Sequence, residues 1–193
     1  MRIYLAGKIS KGDWRHKVMS ASVDHISKSF EEWNRPWSSR RAKCLNHDYV
    51  GPFFTSDDHG CSHSVGRGVH GNADASCFIS DENAVQQFIL RECLSAISTA
   101  DLVFAWLDEL DAYGTYAELG YARAKSVLTV IGVGEWLRRR SDGWKQLWFV
   151  ARMADHMVWE SSPEDACKSA VAWAEPRYLG NQMAKLLRTD SVQ

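Results

Sequence analysis

Residues 101–124 read DLVFAWLDELDAYGTYAELGYARA, and no other stretch restricts the possible folds as much. An apolar run rich in Leu, Val, Phe and Trp, from Leu102 to Leu107, is the size of one strand. It ends in acidic residues, passes a Gly114-Thr115 turn, and restarts as an Ala/Leu-rich segment of helical character. That order is strand, loop, helix. In an open α/β sheet, ligands sit outside the carboxyl ends of the strands, so Asp108, Asp111 and Glu118 are expected to converge on one crevice.

The same alternation runs along the chain. Arg2–Ala6 reads as a first strand closed by Gly7. The segment from Asp13 to about Trp33 has the helical spacing Trp14, Val18, Ala21, Ile26, Phe30. A second strand is expected over Cys44–Val50, ending at Gly51-Pro52, where proline stops a ladder. Asp81–Thr99 reads as a helix with Val85, Phe88, Ile89, Leu94 and Ile97 as its buried stripe. After the 102–107 strand come a helix at about 115–125 and a strand over Val127–Val133. A helix from about Glu135 to Ala154 and a strand over His156–Trp159 follow, then a helix opened by Ser162-Pro163-Glu164 with Pro163 at its first position. Five strands separated by helices argue for a parallel sheet covered on both faces, an α/β fold formed by residues 1–193 as a single domain. A Gly, His, Ser and Asp-rich stretch at about 55–80 breaks the pattern, and loops of that length in compact domains usually carry function.

With 45% hydrophobic residues in 193 and a net charge of −1, the chain can bury a full core and has no excess of basic charge. It therefore lacks the footprint of a protein that binds polymeric nucleic acid or an anionic membrane. Its longest apolar runs are strand-sized, so neither a signal peptide nor a membrane span is expected. Five scattered cysteines fit reduced thiols in a cytoplasmic protein better than a disulfide framework. Nine tryptophans suggest a pocket lining or a subunit contact. Arg138, Arg139 and Arg140 read as a solvated helix end, with a phosphate or partner site as the other reading.

Glu118 has two readings. With Thr115 as N-cap it falls at the third helical position and closes a capping box. Alternatively it is one of three carboxylates, with Asp108 and Asp111, more than a cap requires. Gly7 allows close backbone approach to a ligand, and Tyr4 offers a hydroxyl to the crevice or packs as an ordinary strand residue. The strand-to-helix turn from Gly7 to Arg15 presents Lys8, Ser10 and Arg15 to a phosphate, or exposes them as surface charges. It has neither the Walker pattern nor the spaced glycines of a dinucleotide site. The 55–80 loop holds His59, Cys61 and His63, but their spacing is not that of a zinc site, so no metal and no cofactor is expected. As a mobile cover it would bring Asp57, Asp58 and His59, with Phe53 and Phe54 before it, to a bound base for stacking and hydrogen bonding.

Ile-Tyr-Leu-Ala-Gly at 3–7, Tyr-Val-Gly-Pro-Phe-Phe at 49–54, and the 100–124 block with Gly-Thr-Tyr-Ala-Glu-Leu-Gly-Tyr-Ala at 114–122 resemble the nucleoside 2-deoxyribosyltransferase family. They are similar, too, to the related 2′-deoxynucleoside 5′-phosphate N-hydrolases. The resemblance implies a flavodoxin-like doubly wound sheet, an N-glycosidic bond as the target, and Glu118 as nucleophile. It also implies an aspartate that protonates the leaving base or fixes the sugar. The position six before the glutamate is Ala112 here, which leaves that role among Asp108, Asp111 and Asp58. Such a site takes a nucleoside or nucleoside monophosphate and passes the sugar to a second base or to water, and the family commonly completes it in a homodimer or larger symmetric oligomer. The chemistry agrees: a carboxylate beneath C1′ stabilises an oxocarbenium ion and can capture the sugar, while a second, protonated acid serves the base. Competing readings are a non-catalytic nucleotide sensor and another nucleotide or NAD glycohydrolase. The second usually carries a Pro-Gly-Gly run where this chain has Leu110-Asp111-Ala112-Tyr113.

Overall fold

The computed structural model describes residues 1–8, 13–19, 35–53, 82–140 and 142–190. Their strands are β1 (Arg2–Gly7), β2 (Ala42–Cys44), β3 (His47–Gly51), β4 (Leu102–Leu107), β5 (Leu128–Val133) and β6 (His156–Val158). They form one sheet in the order β2-β3-β1-β4-β5-β6. All neighbours are parallel except β2 and β3. Without β2 the parallel strands follow the 2-1-3-4-5 order of flavodoxin-like sheets, with the switch point between β1 and β4. The α/β expectation is met, with six strands in place of five.

The extra strand comes from the segment expected as a single strand at 44–50. Leu45 and Asn46 both take positive φ, 47° and 69°, and turn the chain into a two-residue hairpin. Two positive φ values are what a type I′ turn needs, and its twist matches that of the flanking strands. The register sets Ala42 against Tyr49 and Cys44 against His47.

The central strands carry the core. All six residues of β4 are buried, as are four of the six in β1, which is how strands covered on both faces read. Helices α1 (Arg15–Val18), α2 (Glu82–Thr99) and α3 (Tyr113–Ala124) are followed by α4 (Glu135–Arg139), α5 (Gly143–Gln146), α6 (Trp148–Ala151) and α7 (Pro163–Asp190). Helix α3 packs on β1, β4 and β5 and against α2, while α7 packs on β4, β5 and β6 and against α1. Ser162 caps α7, its hydroxyl accepting the Asp165 N–H at 3.1 Å. Residues Ala166, Cys167, Ala170, Val171 and Ala174 then repeat at helical spacing toward the sheet. The single helix expected over 135–154 is three short ones, since Arg140 is extended (ψ 113°) and Gly143 weakens the continuation. Most of the helix expected from Asp13 to Trp33 lies outside the described residues. No helix among the described residues is long and apolar enough to cross a membrane.

A buried ion pair ties down the carboxyl end of β1. Arg15 is 0% exposed and Asp13 1%. The Arg15 Nη1 donates to both Asp13 oxygens at 2.8 and 2.7 Å, Nε to the Leu5 carbonyl at 2.9 Å, and Nη2 to the Gly7 carbonyl at 2.8 Å. Gly7 has φ 148°, and a Cβ there would stand 3.0 Å from Arg15 Nη2. The glycine thus makes room for a guanidinium. Burial works against the Arg15 charge, and the Asp13 carboxylate more than offsets it, so the group is held protonated. Removing one member of such a pair strands the other charge in a dry site, so Asp13→Ala is expected to cost about 3–5 kcal/mol of stability. Denaturant unfolding followed by tryptophan fluorescence measures this, and a loss under about 1 kcal/mol would show that the pair is not what holds the strand end.

Candidate functional site

Helix α3 begins at Tyr113, with Ala112 as its N-cap and no side-chain capping bond. Glu118 therefore sits in the second turn, too far along to reach back to the N-cap N–H. Thr115, the expected cap, is inside the helix and buried. The capping box is not formed. Instead the Glu118 carboxylate turns toward the sheet and accepts a hydrogen bond from the Tyr4 hydroxyl. Tyr4 is wholly buried in β1, opposite Gly51 of β3. Gly51 has φ 150°, and a Cβ there would press 3.3 Å from the Tyr4 ring and 2.8 Å from that of Trp37.

Cys93, from α2, supplies a third group, whose thiol influences both Tyr4 and Glu118. Burial raises the Glu118 carboxyl from 4.5 to about 7, against the opposing pull of the Tyr4 bond, the Arg15 charge and the Cys93 thiol. The same burial raises the Tyr4 hydroxyl well above its ordinary value and pushes the Cys93 thiol up to about 12. At neutral pH this is a carboxyl divided between its two protonation states, with a neutral tyrosine and a neutral thiol beside it. A group poised near the operating pH suits either proton transfer or attack as a carboxylate.

The aspartates follow the carboxyl end of β4. Asp108, Glu109 and Asp111 follow β4 and line a groove of about 630 Å³ with Leu110, Trp136 and Arg140. Lys8, just past the end of β1, reaches across the switch point to Glu109 and to Asp111, the latter at 3.3 Å. Hydrogen bonds to Glu109 and then to Lys8 hold the exposed Asp111 carboxyl below its usual range. Neither Asp108 nor Asp111 contributes to the raised pKa of Glu118, which is an effect of burial rather than of like-charge coupling. Nor is Asp111 kept protonated by its surroundings.

Other expected ligand residues are engaged within the protein. Arg15 is committed to Asp13 and to main-chain carbonyls, so it does not face the crevice. Gly7 leaves space for that arginine and not for a ligand. Phe53 is buried, its ring packed edge-on against Trp37 and Tyr49 at 5.7 and 5.2 Å. Gly114 is exposed, with open space where a Cβ would point. Lys8 is half-exposed and paired as described. Ser10, Phe54, Asp57, Asp58, His59, Cys61 and His63 lie outside the described residues. Of the nine tryptophans, Trp37 and Trp106 are buried, whereas Trp136 and Trp148 are exposed. Cys93 was missed by the sequence reading, although it stands four residues from both Ile89 and Ile97 and so shares their helix face.

No family model matches the chain, and no curated protein matches it. Among solved structures it is similar to a conserved protein from Enterococcus faecalis V583. That likeness has 15% identity and a TM-score of 0.47 over 90% of this chain and 98% of the other.

The Glu118 environment has a consequence for stability. Its folded pKa lies above the unfolded one, so between about 4.5 and 7 the folded state holds more proton than the unfolded state. Stability from this group is full at low pH and falls as pH rises through that window. Glu118→Gln removes the titration, so the melting temperature of the variant relative to wild type should climb between pH 5 and pH 8. Calorimetry at the two pH values measures the difference, and a constant offset would mean that the carboxyl is not desolvated.

Proposed function

We propose that the protein cleaves the N-glycosidic bond of a nucleoside or nucleoside monophosphate, with Glu118 as nucleophile and Tyr4 as the group that orients it. The observation that carries this reading is a half-buried carboxyl released from any capping role, turned toward the sheet and bonded by a buried tyrosine. The motif resemblance at 3–7 and 114–122 supports it independently. As the C1′–N bond breaks, its electron pair leaves with the base, which takes a proton, and the Glu118 carboxylate closes on C1′. A second base or a water then attacks C1′ and releases the carboxylate. Asp108, exposed at the carboxyl end of β4, is our candidate for the sugar hydroxyls or the departing base.

The reading extends to setting and assembly. Cys44, Cys93 and Cys167 are free thiols, in keeping with a reducing compartment such as the cytoplasm. Exposed Trp136, Trp148 and Phe149 suit a contact between copies in a homodimer or larger symmetric oligomer.

The test is a panel of nucleosides and their monophosphates, with and without a second base, followed by chromatography of released or exchanged base. Glu118→Gln should abolish turnover. In the wild type kcat/KM should rise with pH along a limb near 7, because the ionised carboxylate is the attacking form. Tyr4→Phe removes a bond that holds that pKa down, so it should move the limb upward and cut the rate about tenfold or more. Near wild-type turnover in Glu118→Gln would sink the assignment and leave a binding protein.

A further inference from the structure

Strand β1 keeps β4 beside it from Ile3 to Gly7, but β3 pairs with it only as far as Tyr4, opposite Gly51. Beyond Tyr4 the β3 ladder has ended. The carbonyls of Leu5 and Gly7, two residues apart and so directed to the same side of the strand, are the ones that Arg15 takes, at 2.9 and 2.8 Å. We propose that Arg15 is a positioning residue for Glu118: its guanidinium continues the β3 edge along the last residues of β1 and thereby holds the Tyr4 hydroxyl on the carboxylate. The proposal rests on the reading of Glu118 as nucleophile and adds what keeps that nucleophile in place.

A guanidinium suits this task because its N–H groups form a rigid, planar fork. Nε and Nη2 span two carbonyls of one strand, while Nη1 turns back to Asp13 at 2.8 and 2.7 Å. The fork is held from outside the strand as well. The Trp14 ring centre lies 4.9 Å from the guanidinium carbon, and α1 is anchored on α7, where Lys17 meets Glu164 at 2.6 Å. Tyr4 stands where one arrangement hands over to the other. It is the last residue that β3 pairs with, and Leu5 beside it is the first whose carbonyl Arg15 holds. A shift of the strand end would therefore be felt first at Tyr4, whose hydroxyl bonds Glu118.

The charge of Arg15 works in the same direction as its bonds. Among the described residues, the groups that act on Glu118 are Tyr4 from β1, Arg15 from α1 and Cys93 from α2, and Arg15 is the cation among them. A positive charge favours the carboxylate, which is the attacking form, where burial opposes it. Asp13 in turn keeps the guanidinium charged. Being wholly buried, Arg15 acts through Tyr4 and through its field, not by touching a substrate.

The experiment is a carbon NMR titration of the Glu118 carboxyl in the full chain, its resonance assigned by its loss in Glu118→Gln. Removing Arg15 alone would leave Asp13 as a lone buried charge, so the first variant is Asp13→Asn/Arg15→Gln, which removes both charges together. There the Glu118 ionisation constant should fall about tenfold or more, through loss of a nearby opposite charge and of the Tyr4 bond. The pH limb of kcat/KM should move upward with it, kcat falling while KM changes little. Tyr4→Phe raises the Glu118 pKa in the otherwise wild-type chain, and it should raise it less in this background, where the hydroxyl is no longer held; the double-mutant cycle measures that coupling. Arg15→Lys keeps a charge beside Asp13 but has no fork to span two carbonyls, and should show the same reduced Tyr4→Phe effect. An unchanged ionisation constant in Asp13→Asn/Arg15→Gln, or a full Tyr4→Phe effect in both backgrounds, would overturn the proposal. The titration needs no substrate, so it decides the role of Arg15 separately from the glycosidic reading, which absence of turnover in the wild type would remove.

Discussion

The guanidinium of Arg15 sits where water does not reach, and the arrangement around it governs the end of the strand on which the rest is built. A full positive charge is stable there because its donors are taken by Asp13 and by the carbonyls of Leu5 and Gly7. Those two carbonyls belong to the last turns of the β1 ladder, where a parallel strand runs out of partners. The arginine closes them off, and Gly7 has no Cβ because the guanidinium needs the space. The rigid strand end in turn fixes Tyr4, three residues earlier, and through Tyr4 the carboxylate of Glu118. The same charge reaches Glu118 directly and draws its pKa down against the effect of burial.

Two regions of different character result. At the switch point the crevice is acidic, with Glu109 and Asp111 paired to Lys8 and Asp108 beside them. At the amino ends of the strands the wall of a second cavity is mixed, with Arg2, Arg40 and Arg41 beside Asp48 and Glu92. Between them lies the partly buried cluster of Tyr4, Cys93 and Glu118, in which each group is neutral or half-neutral at pH 7 because burial penalises its charged form. Chemistry that needs a poised carboxyl belongs to that cluster, whereas recognition of charge belongs to its surroundings.

Much of the fold was legible in the residues. The apolar run at 102–107, the strand closed by Gly7 and the Ser162-Pro163-Glu164 opening are local signals, and local chemistry decided them. The hairpin was not legible, because Leu45-Asn46 lacks the glycine that usually marks a type I′ turn, and Cys-Leu-Asn-His reads as one continuous strand. The 135–154 helix failed for a related reason: its apolar spacing persists across a point where the backbone extends. Phe53 and Arg15 were legible as an aromatic and a cation of the right type for ligands, but residue type does not tell whether a partner is a ligand or the protein's own core.

What the sequence determined by itself was the alternation of strands and helices, and with it a carboxylate following the strand at the sheet's switch point. Periodicity and turn residues act over a few neighbours, so they can be read without knowing the fold. Which carboxylate carries chemistry was decided only by tertiary structure. Glu118 and Asp111 are seven residues apart in the same loop and helix. One is desolvated against a tyrosine 114 positions away and the other is held at the surface by Lys8, 103 positions away. Desolvation and charge pairing depend on distance in space, and only the packed sheet sets those distances.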